Sequence, residues 1–123
     1  YNDLDWAQTI RHEYHHSLVA PLLEKKKALF MDKASLMARV PDRVKAIPFY
    51  RTWEGFVDES LVQALDIRVG ATYDPGGGLS AWLLAGRRQE FFLTEPFAEG
   101  LKGYEVSTVP FEEYLTQVLA AIR

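Results

Sequence analysis

A chain of 123 residues with 48% hydrophobic and 13% aromatic residues has the make-up of one globular domain around one core. Its formal net charge of -3 gives no basis for nucleic acid or an acidic membrane as a partner. It has no cysteine, which excludes a disulfide framework and a thiolate metal site, and it shows no apolar stretch of transmembrane length and no signal peptide.

The first predicted helix runs from about Asp5 to Ala20. Pro21 ends it, because proline lacks a backbone donor and disfavours helix at the residue before it. All three histidines of the chain lie in this helix, in the run His12-Glu13-Tyr14-His15-His16. The run contains H-E-x-x-H, the zinc-protease helix motif. Each helical residue turns about 100°, so His12 and His16 stand roughly 40° apart on successive turns and can reach one metal ion from one face. Glu13 lies on the flank of that face, where a carboxylate can take the proton of an attacking water without ligating the metal. Trp6, Ile10, Tyr14 and Ser17 recur on the other side, which predicts a helix buried on its back and polar on its metal side. His15 is expected to point to solvent, since two histidines suffice for the motif. The bland alternative is a chance match on a surface helix.

A second helical stretch is predicted from Leu22 to about Met37, with Lys25-Lys26-Lys27 as a solvated face. Val40-Pro41 and Ile47-Pro48 bracket a loop. A third helix is predicted from about Thr52 to Val69, with a core stripe of Trp53, Phe56/Val57, Leu61 and Ala64/Leu65. The run Asp74-Pro75-Gly76-Gly77-Gly78 reads as a connector. A fourth helix should cover about Leu79 to Phe92, with a short helix after Pro96. The last helix, from Pro110, carries Phe111, Tyr114/Leu115, Val118/Leu119 and Ile122. No strand signal exceeds a few residues, so the fold class is mainly α.

A catalytic zinc site has three protein ligands and one open position. No histidine follows His16, so the third ligand is a carboxylate or comes from elsewhere. Glu54 and Glu59 sit about 140° apart on the third helix, so only one can face the metal. Glu59 shares a small, polar stripe with Thr52, Gly55, Gln63 and Asp66, and Gly55 would allow close approach of the two helices. Glu54 shares a more apolar stripe with Val57, Asp58, Leu61 and Leu65. The pattern favours Glu59 and keeps Glu54 as the alternative.

With these residues in place, the chain resembles the gluzincin metallopeptidases. The resemblance rests on His12-Glu13-x-x-His16 and on the downstream helix with Asp58-Glu59. The segment Glu54-Gly55-Phe56 is also similar to the third-ligand segment of the aminopeptidase gluzincins. A closer resemblance is to a group of bacterial gluzincin-like proteins of unknown function, through the segment from His12 to Pro21, then Asp58-Glu59-Ser60-Leu61-Val62-Gln63-Ala64, then Phe111-Glu112-Glu113-Tyr114-Leu115. It supports Glu59 over Glu54. Two positions depart from that pattern. Ala20 replaces an asparagine. Gln63 stands where that group has arginine, and where thermolysin-like enzymes have an aspartate that orients a histidine ligand.

The resemblance implies a helical zincin-like catalytic subdomain over 1–123, a fragment of a larger α+β metallopeptidase. The chain opens at Tyr1 and the histidine helix begins almost at once, so an N-terminal part is expected to be missing, and a secreted or periplasmic location follows if that part held a signal. The implied function is zinc-dependent peptide hydrolysis, with Zn2+ on His12, His16 and Glu59, Glu13 as general base, and a peptide or protein as substrate. The competing reading is a non-catalytic zinc-binding or interaction domain derived from a peptidase fold. Tyr73 and Tyr104, near glycines, are candidates for stabilising the oxyanion, with buried packing as their alternative role.

Overall fold

The computed structural model describes residues 3–73 and 90–123, with side chains described for 9–70 and 90–123. Among these the architecture is mainly α, with no strand. The α-helices are α1 (Asp3–Lys25), α2 (Asp42–Lys45), α3 (Trp53–Tyr73), α4 (Thr94–Glu105) and α5 (Phe111–Ala120). Tight 3-10 turns occupy Lys27–Leu29, Met31–Arg39 and Pro48–Arg51.

The helix α3 is central. It packs against α1 on one side and α4 on the other. Trp53, Phe56, Val57, Leu61 and Ala64 are buried as the core stripe requires, while Leu65 is half-buried. Val62 and Ile67 are buried too, so α3 is covered nearly all round. Its rings stack with neighbours, Phe56 lying 5.9 Å from Trp53 and 5.2 Å from Phe91 between centroids. From α5, Leu115, Val118, Leu119 and the following Ile122 close the core, as their spacing predicts.

Pro21 does not end the first helix; α1 passes through it to Lys25. Val19 and Leu23, at 0% and 5% exposure, anchor the helix on either side of the proline. Ser17, whose carbonyl loses its usual donor, and Pro21 itself are both exposed, so the defect faces water. The second predicted helix is not separate: its residues 22–25 belong to α1, and 3-10 turns take up the rest. Phe30 is buried, and its carbonyl accepts from Lys33 at 3.1 Å and from the Trp53 indole at 2.8 Å. A core indole thus takes an acceptor at the point where an α-helix would have to continue.

The lysine run is not merely solvated. Lys25 pairs with Glu112 at 2.6 Å, Lys26 donates to Thr116 at 2.9 Å, and Lys27 pairs with Glu54 at 3.2 Å. These contacts tie the end of α1 and the turn after it to α5 and α3, and exposed pairs add at most about 1 kcal/mol each. The predicted connector at 74–78 and most of the predicted fourth helix, 79–89, lie outside the described residues. Its last residues, Glu90, Phe91 and Phe92, form a turn, with Phe91 in the core. The helix expected after Pro96 is α4, which starts earlier, at Thr94, and puts the proline in its first turn. No helix among the described residues is long and apolar enough to cross a membrane.

Candidate metal centre

The contacts between α1 and α3 run in opposite order along the two helices. His12 meets Asp66 and His16 meets Asp58, so the helices are antiparallel. What α1 turns inward is its histidine face. The face predicted to be its buried back is outside: Ile10 is 64% and Tyr14 65% exposed, and Ser17 is exposed as well. The Trp6 side chain lies outside the described residues. His15, predicted to point to solvent, is 6% exposed. In this orientation α3 presents Asp58, Glu59 and Asp66 to the three imidazoles, so these buried polar groups meet one another and not apolar side chains.

The cluster has a defined polarity. His12 Nδ1–H donates to Asp66 Oδ2 at 2.6 Å, and His16 Nδ1–H donates to Asp58 Oδ1 at 2.8 Å. A carboxylate can only accept, so each ring carries a proton on Nδ1, and Nε2 is the nitrogen that offers a lone pair to a metal whenever the ring is neutral. The two Nε2 atoms then face one another at 3.2 Å. Glu59 completes the group, with Oε2 at 2.9 Å from His16 Nε2 and Oε1 at 3.4 Å from His12 Nε2. The three ligand atoms lie within 4.8 Å of one another, so His12, His16 and Glu59 could hold a metal ion.

Glu59 is itself oriented. Thr94, at the start of α4, donates its hydroxyl to Gln63 Oε1 at 2.9 Å, and Gln63 Nε2–H donates to Glu59 Oε1 at 3.1 Å. The glutamate can only accept, which fixes the direction of the whole relay. Glu59 Oε2 is buried and makes no hydrogen bond. A buried carboxylate oxygen without a donor is costly in a protein but suits a cation ligand, so the donor set fits a metal. Gln63, which departs from the gluzincin pattern, therefore supports the glutamate, while Asp58 and Asp66 support the histidines.

The electrostatics follow from this packing. The hydrogen bond to Asp66, then that to Glu59, raises the His12 pKa to about 10. Burial pushes Glu59 and Asp66 upward, but their histidine partners outweigh it and hold both below the usual carboxylate range. Asp58 goes the other way: burial raises it and His16 offsets only part of that.

A cleft of about 410 Å³ opens beside the cluster, lined by Glu13, His16, Ala20, Ile47, Phe49, Tyr50, Asp58 and Glu59. Glu13 is exposed at its edge. Gly55 does not serve close approach of α1 to α3; a Cβ there would collide with the Phe49 carbonyl. It lets the 3-10 turn Pro48–Arg51 lie against α3, and that places Phe49 in the cleft wall with its ring 6.0 Å from the His16 ring. Glu54 is outside the cluster, on the surface with Lys27. Tyr104 packs against Phe111 and Tyr114 at 5.4 and 5.6 Å. The Tyr73 side chain lies outside the described residues. The tyrosine in the cleft wall is Tyr50, which lies between helices where no periodicity marks it in the sequence.

A family model for a domain of unknown function, DUF4932, matches residues 1–77. The chain belongs to this DUF4932 family. The matched DUF4932 stretch holds the whole cluster on α1 and α3, while Thr94 and the rest of α4 and α5 follow it. No curated protein and no solved structure matches the chain.

Proposed function

We propose that His12, His16 and Glu59 bind one zinc ion, and that the chain is a gluzincin-type zinc peptidase with Glu13 as general base. The observation that carries this reading is the convergence of two Nε2 atoms, each ring held from behind by an aspartate, on the buried Oε2 of Glu59, which makes no hydrogen bond. Two imidazoles and one carboxylate are the donor set of catalytic zinc sites that keep a fourth position open. Zinc at such a site acts as a Lewis acid on a substrate carbonyl and acidifies water.

The protein's own groups do the rest. Asp58 and Asp66 keep the rings in the ligating tautomer, and Gln63 with Thr94 keeps Glu59 aimed. Glu13, on the edge of the same cleft, takes the proton of the attacking water and passes it to the leaving amine. A structural metal site has no need of a carboxylate beside an open position, which favours catalysis over a non-catalytic metal domain.

Elemental analysis of the purified chain tests the first part: about one zinc per molecule is expected, lost in His12→Ala and in His16→Ala. Full occupancy in both variants would remove the site. A peptide-library assay tests the second part. Glu13→Gln should keep zinc and lose about 10²–10⁴-fold in hydrolysis. Equal rates for the two proteins at equal zinc occupancy would favour the non-catalytic reading.

A further inference from the structure

The H-E-x-x-H motif accounts for His12, Glu13 and His16, but not for His15. This third histidine is 6% exposed, and its Nδ1 lies 2.7 Å from Asp66 Oδ1. The other oxygen of the same carboxylate holds His12. One carboxylate thus spans two imidazoles, each oxygen accepting one Nδ1–H. The helix makes this possible, since residues three apart lie on adjoining turns of one face, and Asp66 stands opposite both.

We infer that His15 is a positioning residue for the metal site. By occupying Oδ1 it fixes the rotation of the Asp66 carboxylate, so that Oδ2 holds His12 with Nε2 aimed at His16 and Glu59. Each Asp66 oxygen accepts from one imidazole, so without His15 no other side chain of α1 among the described residues would stop the carboxylate turning about its last torsion, a soft and roughly two-fold one. His12 would then share its aspartate between several orientations. His16 has no such arrangement: Asp58 serves it alone.

This inference rests on the metal reading, and the experiment separates the two. Zinc affinity is measured by competition with a chromogenic chelator for wild type, His15→Ala, Asp66→Ala and the double variant. Groups that orient a ligand are worth about 10–100-fold in metal affinity. Asp66→Ala should fall in that range, His15→Ala should lose about tenfold, and the double variant should match Asp66→Ala alone, because His15 acts only through Asp66. If wild type binds no zinc, the metal site itself is wrong. If wild type binds and His15→Ala binds equally well, the positioning role is wrong. Fully additive losses also overturn it, because a packing role does not depend on Asp66. His15→Asn guards against misfolding of the alanine variant, since its amide N–H stands near the position of Nδ1. It should restore affinity to within about threefold of wild type, well short of the loss expected for a missing orienting group. A loss as large as that of His15→Ala would assign His15 to packing.

Discussion

The two sides of α3 are held by different physics. Toward α1 it offers three buried carboxylates, Asp58, Glu59 and Asp66, to a buried His15 and to the half-buried His12 and His16. Toward α4 and the core it offers Phe56, Leu61 and Ala64, each 0% exposed. Apolar burial is additive and indifferent to pH. Buried ion pairs are neither, since desolvation cancels much of their attraction and removing one partner strands the other. A polar interface of this kind is a poor way to gain stability, which is a reason to read it as a site. The same contrast appears on α1, where Ile10 and Tyr14 stay outside while the imidazoles go in.

Breaking the apolar side should give the largest loss of stability. Leu61→Ala should cost about 2–5 kcal/mol, read by denaturant unfolding in chelator, and the loss should be the same with and without zinc-site substitutions. A much smaller cost would mean that α3 is held mainly from its polar side.

Breaking the polar side should separate two glutamates. Structural zinc affinities of about 10–16 kcal/mol are shared among four ligands, so Glu59→Gln should weaken zinc binding by roughly a hundredfold or more. Glu54→Gln, on the surface with Lys27, should change it little. The reverse ranking would move the third ligand to Glu54.

The polar side should also respond to pH. His12, raised to about 10 mainly by Asp66, gives the metal-free protein stability that is fully present below its ordinary value of 6.5 and is lost as pH rises through about 10. Glu59 and Asp66, both lowered, give stability present above their ordinary values of 4.5 and 3.8 and lost as pH falls below them; Asp58, raised, works against them. Zinc needs His12 neutral, so its affinity should climb from pH 6.5 toward 10, and zinc uptake near neutral pH should release protons. Calorimetry in buffers of different ionisation enthalpy reads that release directly. Proton-free uptake at neutral pH would show that His12 is already neutral there.

The smallest effect should come from the relay that reaches the site from α4. Thr94→Val removes one buried hydrogen bond to Gln63. The expected cost is about 0.5–1.5 kcal/mol, seen as a several-fold loss of zinc affinity. No change in affinity, with a change in stability alone, would confine Thr94 to holding α4 on α3.

Much of this molecule is legible in its residues. The spacing of His12 and His16 puts both on one face of any helix, and the stripe of Trp53, Phe56, Leu61 and Ala64 specifies a buried α3, because these are properties of a 3.6-residue repeat. The polar stripe of Glu59, Gln63 and Asp66 was visible for the same reason. Periodicity could not say which face of α1 turns inward, since apolar Ile10 and Tyr14 and the histidines each make a coherent stripe. That choice lay with α3, 42 to 54 residues away along the chain, whose carboxylates partner imidazoles only once the helices lie antiparallel. The same holds for Pro21, kept helical by Val19 and Leu23 in the core, and for Phe30, whose carbonyl is taken by Trp53. Local sequence determines which residues can share a face; which face is buried, and which hydrogen bonds replace those of the helix, depend on partners distant in the chain, and only the tertiary structure brings them into contact.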